Sequence, residues 1–252
     1  MNPQRMDKLA RIEAGDYPAT HDLVTMAQAV NYNRFLTDVI RRELGDRRVV
    51  VDHGAGLGTL ALLLRERGVA PVCVENEPAH MAHLREEGFR VVGSTAELPD
   101  ASADFIYSLN VLEHIDDDAA ELRAMRAKLT PDGRVFLYMP AFMSLYSTMD
   151  KRVGHRRRYD RAGLSALAEK AGFEVVWSSY SDSLGGLLSV VYKWMNNPKG
   201  EINPRYLRWF DRFVYPPSLW LDRWTAKWFG KNAMAVLRPR PSGGVSPAPS
   251  GV

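Results

Sequence analysis

Three groups of residues in this 252-residue chain have the types and spacing to do chemistry. The first is Asp52-His-Gly54-Ala55-Gly56-Leu-Gly58, set between the apolar triplet Val49 to Val51 and the apolar run Leu60 to Leu64. Alternating glycines let a backbone turn sharply and approach a ligand closely, because no Cβ stands in the way. The helix start behind them offers unpaired N–H groups and the positive end of a dipole. Such a turn takes a phosphate or the polar tail of a nucleotide-like cofactor. Spacing narrows the choice. A dinucleotide fingerprint places its third glycine three residues after the second, where Thr59 stands. A phosphate-binding loop needs Gly-Lys-Ser/Thr, and the stretch has no lysine. The second group is Glu75, after the apolar Val72 to Val74. An acid at the end of that strand can accept hydrogen bonds from both hydroxyls of a ribose, as in any adenosine site. The third is histidine, His155 with Asp150 nearby and His114 elsewhere, since imidazole suits proton transfer near neutral pH.

These groups need elements to hold them. Val49 to Val51 reads as a strand buried on both faces, with further strands at Val72 to Val74, Arg90 to Val92, Asp104 to Leu109, Arg134 to Met139, the stretch from Ala171 (AGFEVV), and Ala233 to Leu237. Helices are expected between them, at Leu60 to Leu64 and on to Gly68, Pro78 to Glu87, Ala119 to Leu129 and Ala162 to Lys170, with TPDG (130–133) as a turn. Strict alternation implies a parallel sheet with right-handed crossovers and a ligand over its carboxyl rim. Ahead of the sheet, apolar positions from His21 to Glu43 recur at helical spacing. Residues 1–20 read as a flexible lead-in and 239–252 as a disordered Pro/Ser/Gly-rich tail. The length fits one α/β domain, and a net charge of +3 gives no reason to expect nucleic acid. The single cysteine, Cys73, excludes an intrachain disulfide and a Cys-based zinc site; no metal is expected. The start lacks a signal-peptide core, and no run approaches the roughly 18 apolar residues of a span. The expected location is the cytoplasm.

The motif D-x-G-x-G-x-G resembles motif I of the class I S-adenosylmethionine (SAM)-dependent methyltransferases. NYNRFL before the first strand, then VLEHIDDD, LYSTMDKRVGHRRRYD and AGFEVV after it, occur in the order seen in a bacterial subgroup of that family often associated with family 2 glycosyltransferases. The similarity covers roughly Val30 to Arg238. It implies a Rossmann-like, seven-stranded, mostly parallel sheet over 21–238, with an N-terminal helical lid and a C-terminal helical insertion at about 186–231. It implies SAM as cofactor, held by Asp52, Gly54, Ala55, Gly56 and Gly58 at its amino-acid part and by Glu75 and Asn76 at the ribose. Ser94 and Thr95 would lie beside the adenine, although the family usually has Asp where Ser94 stands. Asn110 marks where the methyl group is transferred, and Tyr32 and Asn33 of the lid are candidates to face the cofactor, with packing of the helix as the alternative for Tyr32. The subgroup also usually has Glu where Asp52 stands, and its Tyr-x-Asn-x-x-Gly appears as Tyr180, Asp182 and Gly185.

The long stretch Pro140 to Asp160 is more often functional than idle. Methyl transfer to a hydroxyl needs alignment and removal of a proton. His155 is the preferred base, Asp150 its orienting partner and His114 the second choice, although either histidine could instead serve structure. Arg156 and Arg158 suit an acidic acceptor, and Tyr146, Tyr159 and Asp182 complete the expected acceptor side. The resemblance favours transfer to oxygen of a glycan, glycolipid or related metabolite, with a glycosyltransferase as candidate partner. A non-catalytic SAM-binding partner of that enzyme and a nicotinamide oxidoreductase are the rival readings. Lastly, 206–229 is rich in aromatic residues, with Trp220, Trp224 and Trp228 four apart and Arg and Lys interleaved. Such a segment either packs on the sheet or a second copy, or lies in a membrane interface.

Overall fold

The computed structural model describes residues 20–194 and 203–241, with backbone alone for 192–194. The expected lead-in and most of the expected tail lie outside them. The strands are β1 (Val50–His53), β2 (Val72–Val74), β3 (Val91–Val92), β4 (Ala103–Leu109), β5 (Leu129–Pro140), β6 (Phe173–Ser181) and β7 (Asn232–Pro239). They form one sheet in the order β3-β2-β1-β4-β5-β7-β6. The pairings β1–β2, β1–β4, β2–β3 and β4–β5 are parallel, and β7 runs antiparallel between β5 and β6. β1 is thus flanked by β2 on one side and β4 on the other, and a crevice opens at the carboxyl ends where the winding reverses.

The helices are α1 (Thr20–Met26), α2 (Val30–Leu44), α3 (Thr59–Arg65), α4 (Pro78–Glu86), α5 (Asp118–Lys128), α6 (Thr148–Val153), α7 (Arg161–Lys170), α8 (Ser183–Trp194), α9 (Pro204–Phe213) and α10 (Tyr215–Thr225). Period-two alternation along the central strands feeds a core on each face. Val51, Ile106, Val135 and Leu137 pack with Leu122 and Met125 of α5 and Leu164 of α7. Val50, Phe105, Tyr107, Phe136 and Tyr138 pack with Leu36, Ile40 and Leu44 of α2. Each such apolar side chain contributes about 1.5–3 kcal/mol by leaving water.

Three differences from the sequence expectations bear on the site. β1 runs on through Asp52 and His53, all four residues buried, so the acid belongs to the strand and not to the loop. β5 begins at Leu129, and TPDG lies within it. The β4 pairing slips between Ala103 and Phe105 to accommodate those residues, so a bulge takes the place of a separate turn. β6 extends to Ser181, because pairing with β7 continues past the apolar AGFEVV.

Candidate functional site

Gly54, Gly56 and Gly58 all adopt left-handed backbone, with φ of 75°, 54° and 68°. A Cβ on Gly54 would stand 2.3 Å from Val111 Cγ2, and one on Gly58 2.6 Å from Leu84 Cδ2. The loop is therefore pressed between the turn after β4 and helix α4, and a side chain there would displace both. Glu75 ties it down: Gly56 N–H donates to Oε2 at 2.7 Å, while Asn76 and Glu77 N–H both donate to Oε1 at 2.9 Å. A carboxylate has about four acceptor positions, so about one is left for a ribose hydroxyl. Asn76 contributes backbone to this arrangement. Asp52 sits beside Cys73 and Tyr107 in the sheet. Burial, with Glu75 nearby, pushes its carboxyl up to about 7. The buried Tyr107 hydroxyl beside it offsets part of that rise. A buried acid facing a glycine turn is well suited to a cationic ammonium, which would favour its ionised form.

Helix α1 crosses this turn. Leu23 reaches within 3.2 Å of where a Cβ on Gly56 would be, and Leu23, Val24 and Leu57 form a small apolar cluster. Thr20 Oγ1 pairs with His80 Nε2 at 3.0 Å, and Arg152 Nη2 donates to both oxygens of Asp22 at 2.8 and 3.0 Å. The lid is thus fastened to α4 on one side and to the loop after β5 on the other. Tyr32 of α2 meets the rim: Asn110 Nδ2 approaches its hydroxyl at 3.4 Å, and its ring packs edge-on against Tyr138 and Tyr215. Burial pushes the Tyr32 phenol up to about 12, so it stays protonated. Asn110 has φ of 54° at the end of β4, a strained position for a non-glycine residue. Asn33, by contrast, is buried and donates to Met26 O at 3.0 Å, closing α1.

Beside the rim lies a network that motif reasoning passed over. His53 Nδ1 pairs with Ser108 Oγ at 3.0 Å and its Nε2 with Glu121 Oε1 at 3.0 Å; Thr95 Oγ1 donates to the same Glu121 oxygen at 2.6 Å. Glu121 is held below the usual carboxylate range, by His53 above all. Thr95 is buried in this network, while Ser94 remains exposed, with its hydroxyl 3.4 Å from Glu97. The signal available in sequence was the alternation in β1, which places His53 on the face opposite Asp52 and toward α5.

The long loop folds as a short 3₁₀ turn (Met143–Leu145) followed by α6. Ser147 and Asp150 form a capping box at its start. Asp150 also receives Nε and Nη2 of Arg158 at 2.8 and 2.9 Å, and His155 Nδ1 lies 2.7 Å away. Its His155 and Arg158 partners outweigh burial and hold its carboxyl well below the usual range. Tyr146 donates to His155 O at 2.7 Å. His155 Nε2 stands 3.8 Å from Oε1 of Glu113, which is fully buried, and neither Glu113 oxygen has a hydrogen-bond partner. Burial pushes the Glu113 carboxyl up to about 8. The His114 and His155 rings meet edge-on at 4.7 Å. Burial and that neighbour push His114 down to about 4. Ligand atoms of Glu113, His114 and His155 all lie within 4.8 Å of one another, a set able to hold a divalent cation.

The structure brings His155, Asp150 and His114 together. On the acceptor side it changes several expectations. Arg158 is committed to Asp150, so it positions the acid instead of meeting an acceptor. Arg156 donates to His114 O at 2.9 Å and pairs with Asp116 on the surface. Tyr159 is buried and donates to Asp118 Oδ2 at 2.8 Å, fixing the loop to α5. Asp182 is buried, accepts from Gly185 N–H at 3.0 Å and Ser218 Oγ at 2.8 Å, and starts α8. These residues are polar and clustered in sequence because they fasten the loop and helix ends, a use that composition does not distinguish from binding.

A family model described as "Methyltransferase domain" matches residues 27–178. A Mycolicibacterium smegmatis protein named "Probable S-adenosylmethionine-dependent methyltransferase" is 31% identical over 158 residues, covering 59% of this chain and 60% of that protein. The matched region thus spans less than two thirds of the relative. Among solved structures, the Burkholderia thailandensis 1,6-didemethyltoxoflavin-N1-methyltransferase, with 1,6-didemethyltoxoflavin and S-adenosylhomocysteine bound, has a TM-score of 0.58 at 20% identity, over 95% of this chain and 91% of that one. Magnesium protoporphyrin IX methyltransferase from Synechocystis, with SAH bound, has a TM-score of 0.53 at 15% identity, over 95% and 96%. At these identities the two structures bear on the fold.

Proposed function

Because the chain belongs to this family of methyltransferase domains and takes SAM as its methyl donor, we propose that it transfers the methyl group to an oxygen of a glycan, a glycolipid or a related small metabolite. SAM, when bound, supplies a methyl carbon already activated by a sulfonium. Asp52, once ionised, and the glycine turn with the start of α3 hold the charged amino-acid end; Glu75 meets the ribose; Ser94 borders the base. Asn110 and Tyr32 border the position of transfer. Under the same reading a glycosyltransferase supplies the acceptor.

The observation carrying the choice of oxygen is the His155–Asp150 pair. A hydroxyl acceptor must lose a proton, whereas an amine free base need not do so before attack. His155 has its Nδ1 held by a carboxylate that stays ionised, which fixes the ring and leaves Nε2 to take the proton. His114 is the poorer base, since at about 4 its affinity for a proton is small near neutral pH.

His155→Ala is expected to lower turnover by roughly 10²- to 10⁴-fold with SAM affinity unchanged, and Asp150→Asn to lower it less than His155→Ala. Turnover unaffected in His155→Ala would remove the base assignment. Dialysis against EDTA separates the two uses of the cluster. Activity that survives it fits a free imidazole; activity lost with the chelator and restored by zinc assigns Glu113, His114 and His155 to a cation.

A further inference from the structure

Helices α9 and α10 are built the reverse of ordinary surface helices. Their buried residues are Asp211, Tyr215, Ser218 and Asp222, at steps of four, three and four along one face. Asp211 and Asp222 are only 5% and 9% exposed, yet Trp209, Phe213, Trp220 and Trp224 are 50–59% exposed and Trp228 is 72% exposed. The inward acids have definite partners. Asp211 accepts the N–H groups of Asn31 and Tyr32, both at 2.9 Å, at the start of α2. Asp222 accepts those of Asp182 and Ser183, at 2.7 and 3.0 Å, at the start of α8. Charge-assisted capping of two helix starts therefore anchors this pair of helices to the domain. The aromatic side chains are left outside.

The segment does meet the sheet, through α10 against β6, but Trp220, Trp224 and Trp228 take no part in that packing and stay exposed. α8, which packs against α10, adds exposed Leu187, Val190 and Val191. An apolar patch of this kind on a folded chain marks an interaction surface. Its companions indicate the occupant. Arg205, Arg208 and Arg212 each precede an exposed aromatic residue on α9, and Arg223 and Lys227 interleave with the tryptophans. Large amphipathic rings with flanking cations suit the headgroup region, where a ring lies at the acyl boundary and a guanidinium meets lipid phosphate. Among the described residues no helix is long and apolar enough to cross a membrane, so the contact is peripheral.

We propose that α8, α9, α10 and Trp228 form a docking face for an anionic lipid bilayer. The anchor at Asp211 also seats Tyr32, whose ring packs on Tyr215 and whose hydroxyl meets Asn110. The docked bilayer would therefore lie on the side of α9 and α10 away from Tyr32. The docking itself is independent of the acceptor's identity.

The test is co-sedimentation of the full chain with phosphatidylglycerol/phosphatidylcholine vesicles and with phosphatidylcholine vesicles alone. The comparison set is Trp220→Ala/Trp224→Ala and, separately, Arg205→Glu/Arg212→Glu. These side chains are on the surface, and circular dichroism confirms folding. Binding to the anionic vesicles is expected to exceed binding to the neutral ones at least tenfold, to weaken with salt, and to fall at least tenfold in either variant. Two results would overturn the proposal: anionic-vesicle binding that is absent or indifferent to both variants, or a dimer by light scattering that the tryptophan variant dissolves in a chain that binds no vesicles.

Discussion

Asp52 is the residue at which folding and binding oppose each other. Its carboxyl is raised to about 7 by burial and by Glu75. A carboxyl raised above its unfolded value favours the fold in the protonated form. That contribution is complete below the ordinary Asp range and is lost as pH rises through about 7. A bound ammonium reverses the preference, because it stabilises the charge that burial penalises. SAM binding should therefore expel a proton from Asp52 at about pH 6 and expel almost none at about pH 9. Calorimetric titrations in buffers of different ionisation heat measure that number directly. Asp52→Asn should abolish the release and weaken SAM binding. Equal proton release in wild type and variant would show that another group is responsible.

The elements around the rim make separable demands. Gly54 faces Val111, a stiff β-branched side chain, at a distance no Cβ tolerates, and in left-handed backbone. Gly54→Ala should cost on the order of 1–3 kcal/mol and remove SAM binding. Gly68 has φ of 83° with nothing near its missing Cβ. Gly68→Ala should therefore cost about 1 kcal/mol and leave SAM affinity intact, which thermal melts with and without SAM would show. Asp211→Ala removes the acceptor for two N–H groups at the start of α2, a loss of about 1–2 kcal/mol, and should lower the melting temperature by roughly 2–8 °C. An unchanged melt would mean water replaces the cap.

The same elements show what could be read from sequence. The glycine spacing, the acid after Val74 and the strand–helix alternation are local patterns, and the structure places Asp52, Glu75 and Asn110 at the carboxyl ends of β1, β2 and β4 or next to them. The ends of β1, β5 and β6 differ from the local pattern because pairing with neighbouring strands, and not local preference, decides how far a strand continues. In the long loop, polar residues with a fastening role resemble residues with a binding role. Arg158, Tyr159 and Asp182 differ from free ligands only through partners 8, 41 and 36 residues away. Asp211 reaches α2 across 180 residues, beyond any local window.

At the scale of the molecule, the sheet divides the labour. Its β2–β1–β4 side, with α1 as lid, builds the cofactor rim. The loop after β5 brings His155 and Asp150 to the turn carrying Glu113 and His114. The pair α9–α10 attaches to the starts of α2 and α8 through two buried acids and leaves its aromatic side chains outside. The central claim is methyl transfer to oxygen with His155 as base. Its most direct test is to incubate the chain and its His155→Ala variant with methyl-labelled SAM and a glycan and glycolipid extract, then hydrolyse and identify the labelled products. Labelled O-methyl sugar formed by the wild type, and reduced at least a hundredfold in the variant, is the predicted result. Label on nitrogen, or equal labelling by both proteins, would contradict it.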